Sequence, residues 1–307
     1  MAAVAIVQRK SCRTSSCKPR LALARLLIYA TTYMDKSIEK DEARFSRPRH
    51  IHGVELVTVA YRDRCFPKHS HAEYVVGSVV TGAERLGVRG RAYVVPPGNV
   101  LLLHPDEPHA NETIGTERLS YRVLYLSSGA IHPFLDPAHA HPSLSFVEPV
   151  TSDPAIFQSV NVAYAVLADA GAGRLEQETA LTALIRILRD SAPRTKRSLP
   201  ETIAPSAAIT LCRQFIDDYF TESFGLQDLS NLTGLSIFHL VRSFKKSTGL
   251  TPLAYRNQRR VTEARARLLA GQAAVQVALD MGYADQSHLT RQFQRLVGVS
   301  PGRYAQQ

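Results

Sequence analysis

Two groups of side chains have the types and spacing to do chemistry. His69, His71 and Glu73 fall within five residues, and His109 follows His69 by 40 positions. An imidazole offers a lone pair to a metal or a polar solute, and a positive charge to an anion when protonated near neutral pH. The second group lies in the last third of the chain: Arg242, Lys245, Lys246, Gln286, Gln294, Arg291 and Arg295. Arginine and glutamine can bond base edges through two parallel contacts, and lysine neutralises phosphate as a point charge. The first group therefore suggests a small-molecule or ion site, and the second a nucleic-acid surface.

The basic group is part of a repeat. An offset of 49 residues aligns His239 with His288, Leu240 with Leu289, Arg242 with Arg291, Phe244 with Phe293, Gly249 with Gly298, Pro252 with Pro301 and Tyr255 with Tyr304. Seven identities within 17 positions at one offset mark a structural unit present twice. In the first copy Leu226, Leu229 and Leu232 predict the buried stripe of a short helix, followed by a turn at Gly234. Ser236 is the expected N-cap of a second helix, with Leu240 and Phe244 turned inward and Gly249 at its end. The second copy repeats this with Val277, Ala278 and Met281 as the stripe, Gly282 in the turn and Asp285 as N-cap. Helix, glycine turn, helix is the helix-turn-helix pattern.

The outward faces are then Ile237, Phe238, Val241, Arg242 and Lys245 in the first copy, and Gln286, Ser287, Thr290, Arg291 and Gln294 in the second; with the caps Ser236 and Asp285 they are the candidate DNA-binding residues. Lys246, Arg256, Arg259, Arg260, Arg295 and Arg303 are candidates for phosphate contacts. Between the copies, 252–269 predicts a helix about 27 Å long, with Leu253, Val261, Leu268 and Leu269 for packing. Such a strut suits two recognition helices entering successive major grooves, about 34 Å apart.

At these residues the chain resembles the AraC/XylS family of bacterial transcription regulators. The resemblance rests on Ala278 to Tyr283, Asp285 to Phe293, Gly298 to Pro301 and Tyr304, with Gly249 and Pro252 matching in the first copy. It implies binding of double-stranded promoter DNA by both helices. Phe238 and Val241 depart from it, standing where a base-reading polar or aromatic residue is common. That leaves Arg242 as the main polar reader of the first copy.

The N-terminal half predicts short strands at 54–61, 73–80, 84–88, 91–95, 100–103 and 119–126, separated by glycine and proline, as in a sandwich or small barrel. Over 50–125 it resembles the cupin barrel, the fold of the effector-binding half of many AraC-like regulators. Cupin enzymes hold a divalent metal with two histidines of a first motif, a later glutamate and a histidine of a second motif. His69, His71 and His109 supply three, but Val75 and Val76 stand where the glutamate is expected, and Glu73 shares the expected strand face of the two histidines. The reading adopted is an effector pocket built on His69, His71, Glu73 and His109, with no metal and no cofactor. Protonated histidines there would favour an anionic or zwitterionic effector of unknown identity. Arg85, Tyr93 and Tyr121 are further candidates.

Charge follows this division. Of 37 Lys+Arg and 27 Asp+Glu, residues 1–34 hold six and none, 35–205 hold 19 and 20, and 206–307 hold 12 and seven. A near-neutral middle and a basic C-terminal third fit a sensor joined to a polyanion-binding module. Four scattered cysteines and no long apolar run suit a reducing, cytoplasmic setting and no membrane span.

The expected fold is α+β in two domains: a cupin-like β-barrel with a helical hairpin, and an all-α domain with two helix-turn-helix motifs joined by a helix. The expected boundaries are 1–33, a disordered tail or mis-assigned start; 34–153, the effector-binding domain; 154–190, helical; 191–205, a linker; and 206–307, the DNA-binding domain. Leu181, Leu184, Ile185 and Leu188 make an apolar helical face suited either to homodimerisation or to packing on the barrel. The function expected is a sequence-specific, effector-responsive transcription regulator without enzymatic activity. The alternative is a metal-dependent cupin enzyme fused to a DNA-binding module.

Overall fold

The computed structural model describes residues 41–134, 144–191 and 206–306. The expected tail at 1–33, most of the linker at 191–205 and Gln307 lie outside the described residues.

Among the described residues, ten strands form the N-terminal half. They are β1 (Glu42–Ser46), β2 (Val54–Tyr61), β3 (Cys65–His69), β4 (Tyr74–Thr81), β5 (Ala83–Val88), β6 (Arg91–Val95), β7 (Val100–Leu103), β8 (His109–Ile114), β9 (Leu119–Leu126) and β10 (Val150–Thr151). A six-stranded sheet in the order β1-β2-β9-β4-β7-β10 faces a four-stranded sheet in the order β3-β8-β5-β6. Every strand pairing is antiparallel.

The large sheet is buried on both faces, which is why β4 and β7 are nearly unbroken apolar runs. Val57, Val59, Val75, Val79, Leu101, Leu103, Tyr121 and Val123 look into the barrel. Leu56, Tyr74, Val76, Leu102, Leu124 and Leu126 look outward, onto a second core. Between β9 and β10 lie a short helix, α1 (Ser128–Ile131), and a 3-10 turn, His132–Phe134.

A helical hairpin covers the outer face: α2 (Pro154–Ala168) and α3 (Arg174–Asp190). Asp153 caps α2 and Pro154 occupies its first turn. Leu181, Leu184, Ile185 and Leu188 of α3 are buried in the core shared with the sheet. This corrects one of the two uses expected of that face: packing on the barrel consumes it, leaving none of it for a partner. The side of α3 left in solvent carries Leu175, Thr179, Thr182, Ala183 and Arg186.

The C-terminal module is all-α: α4 (Ala207–Tyr219), α5 (Leu226–Thr233), α6 (Ile237–Thr248), α7 (Pro252–Leu269), α8 (Ala274–Asp280), α9 (Gln286–Val297) and α10 (Pro301–Ala305). In the first unit Ile209, Cys212, Ile216, Leu229, Leu240 and Phe244 form a small core. Leu226 and Leu232, expected in its stripe, are each 38% exposed, so Leu229 alone of the three is buried. On α7, Val261 and Leu268 pack as expected, whereas Leu253 and Leu269 face solvent.

The second unit buries Val277, Ala278, Met281, Leu289, Phe293 and Tyr304 in a core continuous with the barrel interior. The barrel interior and the second unit thus share one core. Among the described residues, no helix is long and apolar enough to cross a membrane.

Candidate nucleic-acid interface and sensor cavity

The second helices of the two units, α6 and α9, begin and end alike. Ser236 Oγ accepts from the His239 N–H at 3.4 Å, and Asp285 Oδ1 accepts from the His288 N–H at 2.7 Å. These side chains satisfy first-turn donors, so their contribution is to fix the helix start. Gly249 and Gly298 close α6 and α9 in the left-handed region, at φ 76° and 91°.

With Leu240, Phe244, Leu289 and Phe293 buried, helical periodicity leaves Arg242, Lys245, Lys246, Gln286, Ser287, Arg291, Gln294 and Arg295 exposed. Arg242 and Arg291 occupy the same helical position in the two units, and both are free of the core. Val241 and Thr290 are half-buried, and Thr290 Oγ1 donates to the Gln286 carbonyl at 2.8 Å. Ile237 and Phe238 are exposed by 38% and 77%. Apolar side chains at that place suit the thymine methyl group.

Several expected phosphate contacts are engaged elsewhere. Arg260 is buried, and its guanidinium donates to four carbonyls: Phe220 at 2.6 Å, Gly282 at 2.9 Å, and Thr221 and Glu222 at 3.2 Å each. Arg256 donates to the Phe224 carbonyl, Arg259 pairs with Asp217, and Arg303 pairs with Glu42 of the barrel. Arg260 is the functional residue most misjudged from sequence. It joins the segment after α4 to the turn of the second unit.

The barrel encloses a cavity of about 70 Å³. Its walls include Phe66, His69, His71, Glu84, His109 and Tyr121, and the helical module closes it with Arg265, Leu296 and Val297. His69, His71 and His109 come together there, with ring centroids 4.4 to 5.3 Å apart. The pairing of His69 with His109 across β3 and β8 sets this geometry. Glu73 is not among the cavity-lining residues. It sits in the bend after β3 ends at His69, so the strand face expected to carry it does not extend that far. Arg85 is also elsewhere, paired with exposed Glu112.

Burial pushes the His69 imidazole down to about 3, lowers His71 well below the ordinary value, and lowers His109. Burial thus favours the neutral form of all three, against the expectation that protonated histidines attract an anion. The acid within the cavity is Glu84, which sequence reasoning passed over as an ordinary strand residue. It is wholly buried, one oxygen accepts from Asn111 Nδ2 at 3.2 Å, and burial raises its carboxyl to about 7. A carboxyl whose folded value lies above its unfolded one loses stability as pH rises between the two. Glu84→Gln should therefore melt higher than the parent at pH 8, with the gap closing by pH 5. Equal melting at both values would contradict a strained carboxylate.

The contact between barrel and module uses both repeat copies. The Tyr304 hydroxyl donates to Glu55 at 2.9 Å and accepts from Arg265 at 3.1 Å, and Arg265 also pairs with Glu55. The equivalent Tyr255 instead bonds Asp217 within the module. A Cβ placed on Gly249 would lie 2.5 Å from Pro108, and one on Gly298 2.6 Å from the Tyr61 hydroxyl. Both helix ends thus abut the sensor half.

Two sequence families match along the chain: the AraC-like ligand binding domain over residues 39–185 and a helix-turn-helix domain over 229–307. An HTH-type transcriptional regulator of Bacillus subtilis strain 168, YbfI, is 30% identical over 226 residues, covering 73% of this chain and 81% of its own. The chain belongs to the AraC family of transcription regulators. The arabinose operon regulatory protein of Escherichia coli K12 is 23% identical over 237 residues, spanning 75% of this chain and 80% of its own. The crystal structure of ToxT from Vibrio cholerae O395 shares the fold, with a TM-score of 0.51 at 11% identity over 82% of this chain and 97% of that one. This AraC-family protein is thus a regulator with a ligand-binding domain and a helix-turn-helix DNA-binding module in one polypeptide.

Proposed function

We propose that this AraC-family regulator binds double-stranded promoter DNA with the exposed faces of α6 and α9, and responds to a small molecule held in the barrel cavity. Arg242 and Arg291 would read base edges, while Lys245, Lys246 and Arg295 would neutralise phosphates. The observation carrying this reading is the pair of exposed arginines at one helical position in two like-capped units. His69, His71 and His109 would contact the effector, with Glu84 and Tyr121 in place of Glu73. No catalytic role is assigned to any of them.

Regulation would run through the closure of the cavity. Arg265, Leu296 and Val297 belong to the DNA-binding module yet line the sensor cavity. A solute that binds one arrangement of barrel and module better than another shifts the population between them, by no more than its difference in affinity. The site of action proposed is the cytoplasm. Any homodimer contact made through α3 would use its outer side, because its inner side is already buried.

Lys245 separates the two kinds of DNA contact. Lys245→Ala should weaken binding to all duplexes by a similar factor and reduce the slope of log affinity against log salt by about one. Fluorescence anisotropy on a selected site and on a scrambled duplex, each over a salt series, measures this. A loss confined to the selected site would make Lys245 a base reader instead.

A further inference from the structure

We infer that the effector held in the barrel is a compact organic ammonium ion, recognised through the buried carboxyl of Glu84. The inference rests on the barrel being an effector site and adds the chemical class of what it holds. Glu84 is wholly buried and lines the cavity of about 70 Å³. One of its oxygens accepts from Asn111 Nδ2 at 3.2 Å, and the other, Oε1, has no hydrogen-bond partner among the described residues. The partner it has is thus a neutral amide. A buried carboxylate oxygen left unpaired carries a desolvation cost, which a charged N–H donor offsets in both hydrogen bond and charge. Water occupies about 30 Å³, so the cavity suits a solute of a few heavy atoms.

The rest of the wall fits the same class. His69 Nδ1 bonds the Pro67 carbonyl at 2.7 Å, and His109 Nδ1 bonds the Glu107 carbonyl at 2.9 Å. A carbonyl oxygen only accepts, so both Nδ1 atoms carry hydrogen, and Nε2 of each neutral ring is left as an acceptor. Phe66, Tyr61, Tyr121 and Tyr125 supply aromatic walls, whose faces attract cations. Leu103 and Val123 give a short alkyl chain apolar contact. Arg265 is the arginine of the wall, but it pairs with Glu55 and donates to the Tyr304 hydroxyl at 3.1 Å. It is therefore not free to receive an anion, which would also meet the Glu84 carboxyl. A neutral alcohol satisfies the open oxygen and leaves its charge unanswered. The class is opposite in charge to the anion expected from protonated histidines.

The test uses the full chain and three probes alike in size and different in charge: n-propylammonium, 1-propanol and propionate. Each is titrated at constant ionic strength, with binding read by calorimetry and by the shift in melting temperature. The expected result is that n-propylammonium binds about 10-fold or more tighter than 1-propanol, and that propionate produces no shift. Glu84→Gln keeps the shape of the side chain and removes its charge, so it should lose about 10-fold or more of the affinity for n-propylammonium. Glu112→Gln should lose none, because Glu112 pairs with Arg85 and lies outside the cavity wall. Circular dichroism checks folding, and the comparison of probes on the parent decides the class should Glu84→Gln unfold. Absence of n-propylammonium binding by the parent overturns the proposal, as does binding that Glu84→Gln leaves unchanged. Tighter binding of propionate overturns it too, but leaves an effector held in the barrel. Duplex affinity of the parent, measured alongside by anisotropy, reports on the DNA-binding reading independently of the probes.

Discussion

Arg260→Ala should lower the melting temperature of the helical module by roughly 10 °C or more, the consequence of losing about 3 kcal/mol or more in a domain of this size. The side chain is 6% exposed and binds four carbonyls, three from the segment after α4 and one from Gly282 of the second turn. Its guanidinium also lies 5.5 Å from the Tyr283 ring centroid. Removing it leaves buried acceptors with fewer partners, each carrying a desolvation cost. The backbones meet closely here: a Cβ on Gly282 would lie 2.1 Å from the Thr221 carbonyl oxygen. Arg260→Lys should rescue little, because an ammonium cannot span four acceptors as a planar fork does. Both units should also lose their fixed relation, so DNA binding should fall with stability. A variant melting within about 2 °C of the parent would show that the clamp carries little of the module's stability.

Arg242→Ala and Arg291→Ala should each cost about 1–3 kcal/mol of specific binding, or roughly 5- to 150-fold in affinity. Each loss should fall on a different half of the site. The arginines belong to separate units, so the double variant should lose about the sum of the two, with a coupling below about 0.5 kcal/mol. Affinity for a scrambled duplex at the same salt should change far less. Anisotropy titrations of the four proteins against one selected site give the whole cycle. Equal losses on selected and scrambled duplex would make both arginines phosphate contacts.

Where local chemistry decides the structure, the sequence was informative. The strut at Pro252–Leu269 and the strands Val54–Tyr61, Arg91–Val95, Val100–Leu103 and Leu119–Leu126 lie at the expected positions, and α2 and α3 fall within the expected helical stretch 154–190. Caps and glycine stops define the helices, and apolar runs define the strands. The strands β1, β3, β8 and β10 were not anticipated, nor was helix α4. β3 carries Pro67 and an irregular register between Phe66 and His69, and β8 mixes polar and apolar residues without alternation.

The contact between barrel and module was invisible for a different reason. Glu55 and Arg265 are 210 positions apart, and no local pattern announces such a pair. Arg260 was misread because a basic residue on a DNA-binding module looks like a phosphate contact until its acceptors are located. The burial of Leu181, Leu184, Ile185 and Leu188 could likewise be resolved only by seeing the sheet they cover. The histidines were identified as a group, but their neutrality depends on burial, which composition does not reveal.

Selection of bound duplexes from a random pool, repeated with the parent, Arg242→Ala and Arg291→Ala, tests the reading surface most directly. Two half-sites should emerge with centres one helical turn apart, about 10 base pairs. Arg242→Ala should erase preference in one half and Arg291→Ala in the other. Recovery of a single half-site, or of two whose separation varies freely, would contradict a pair of reading helices held by one strut.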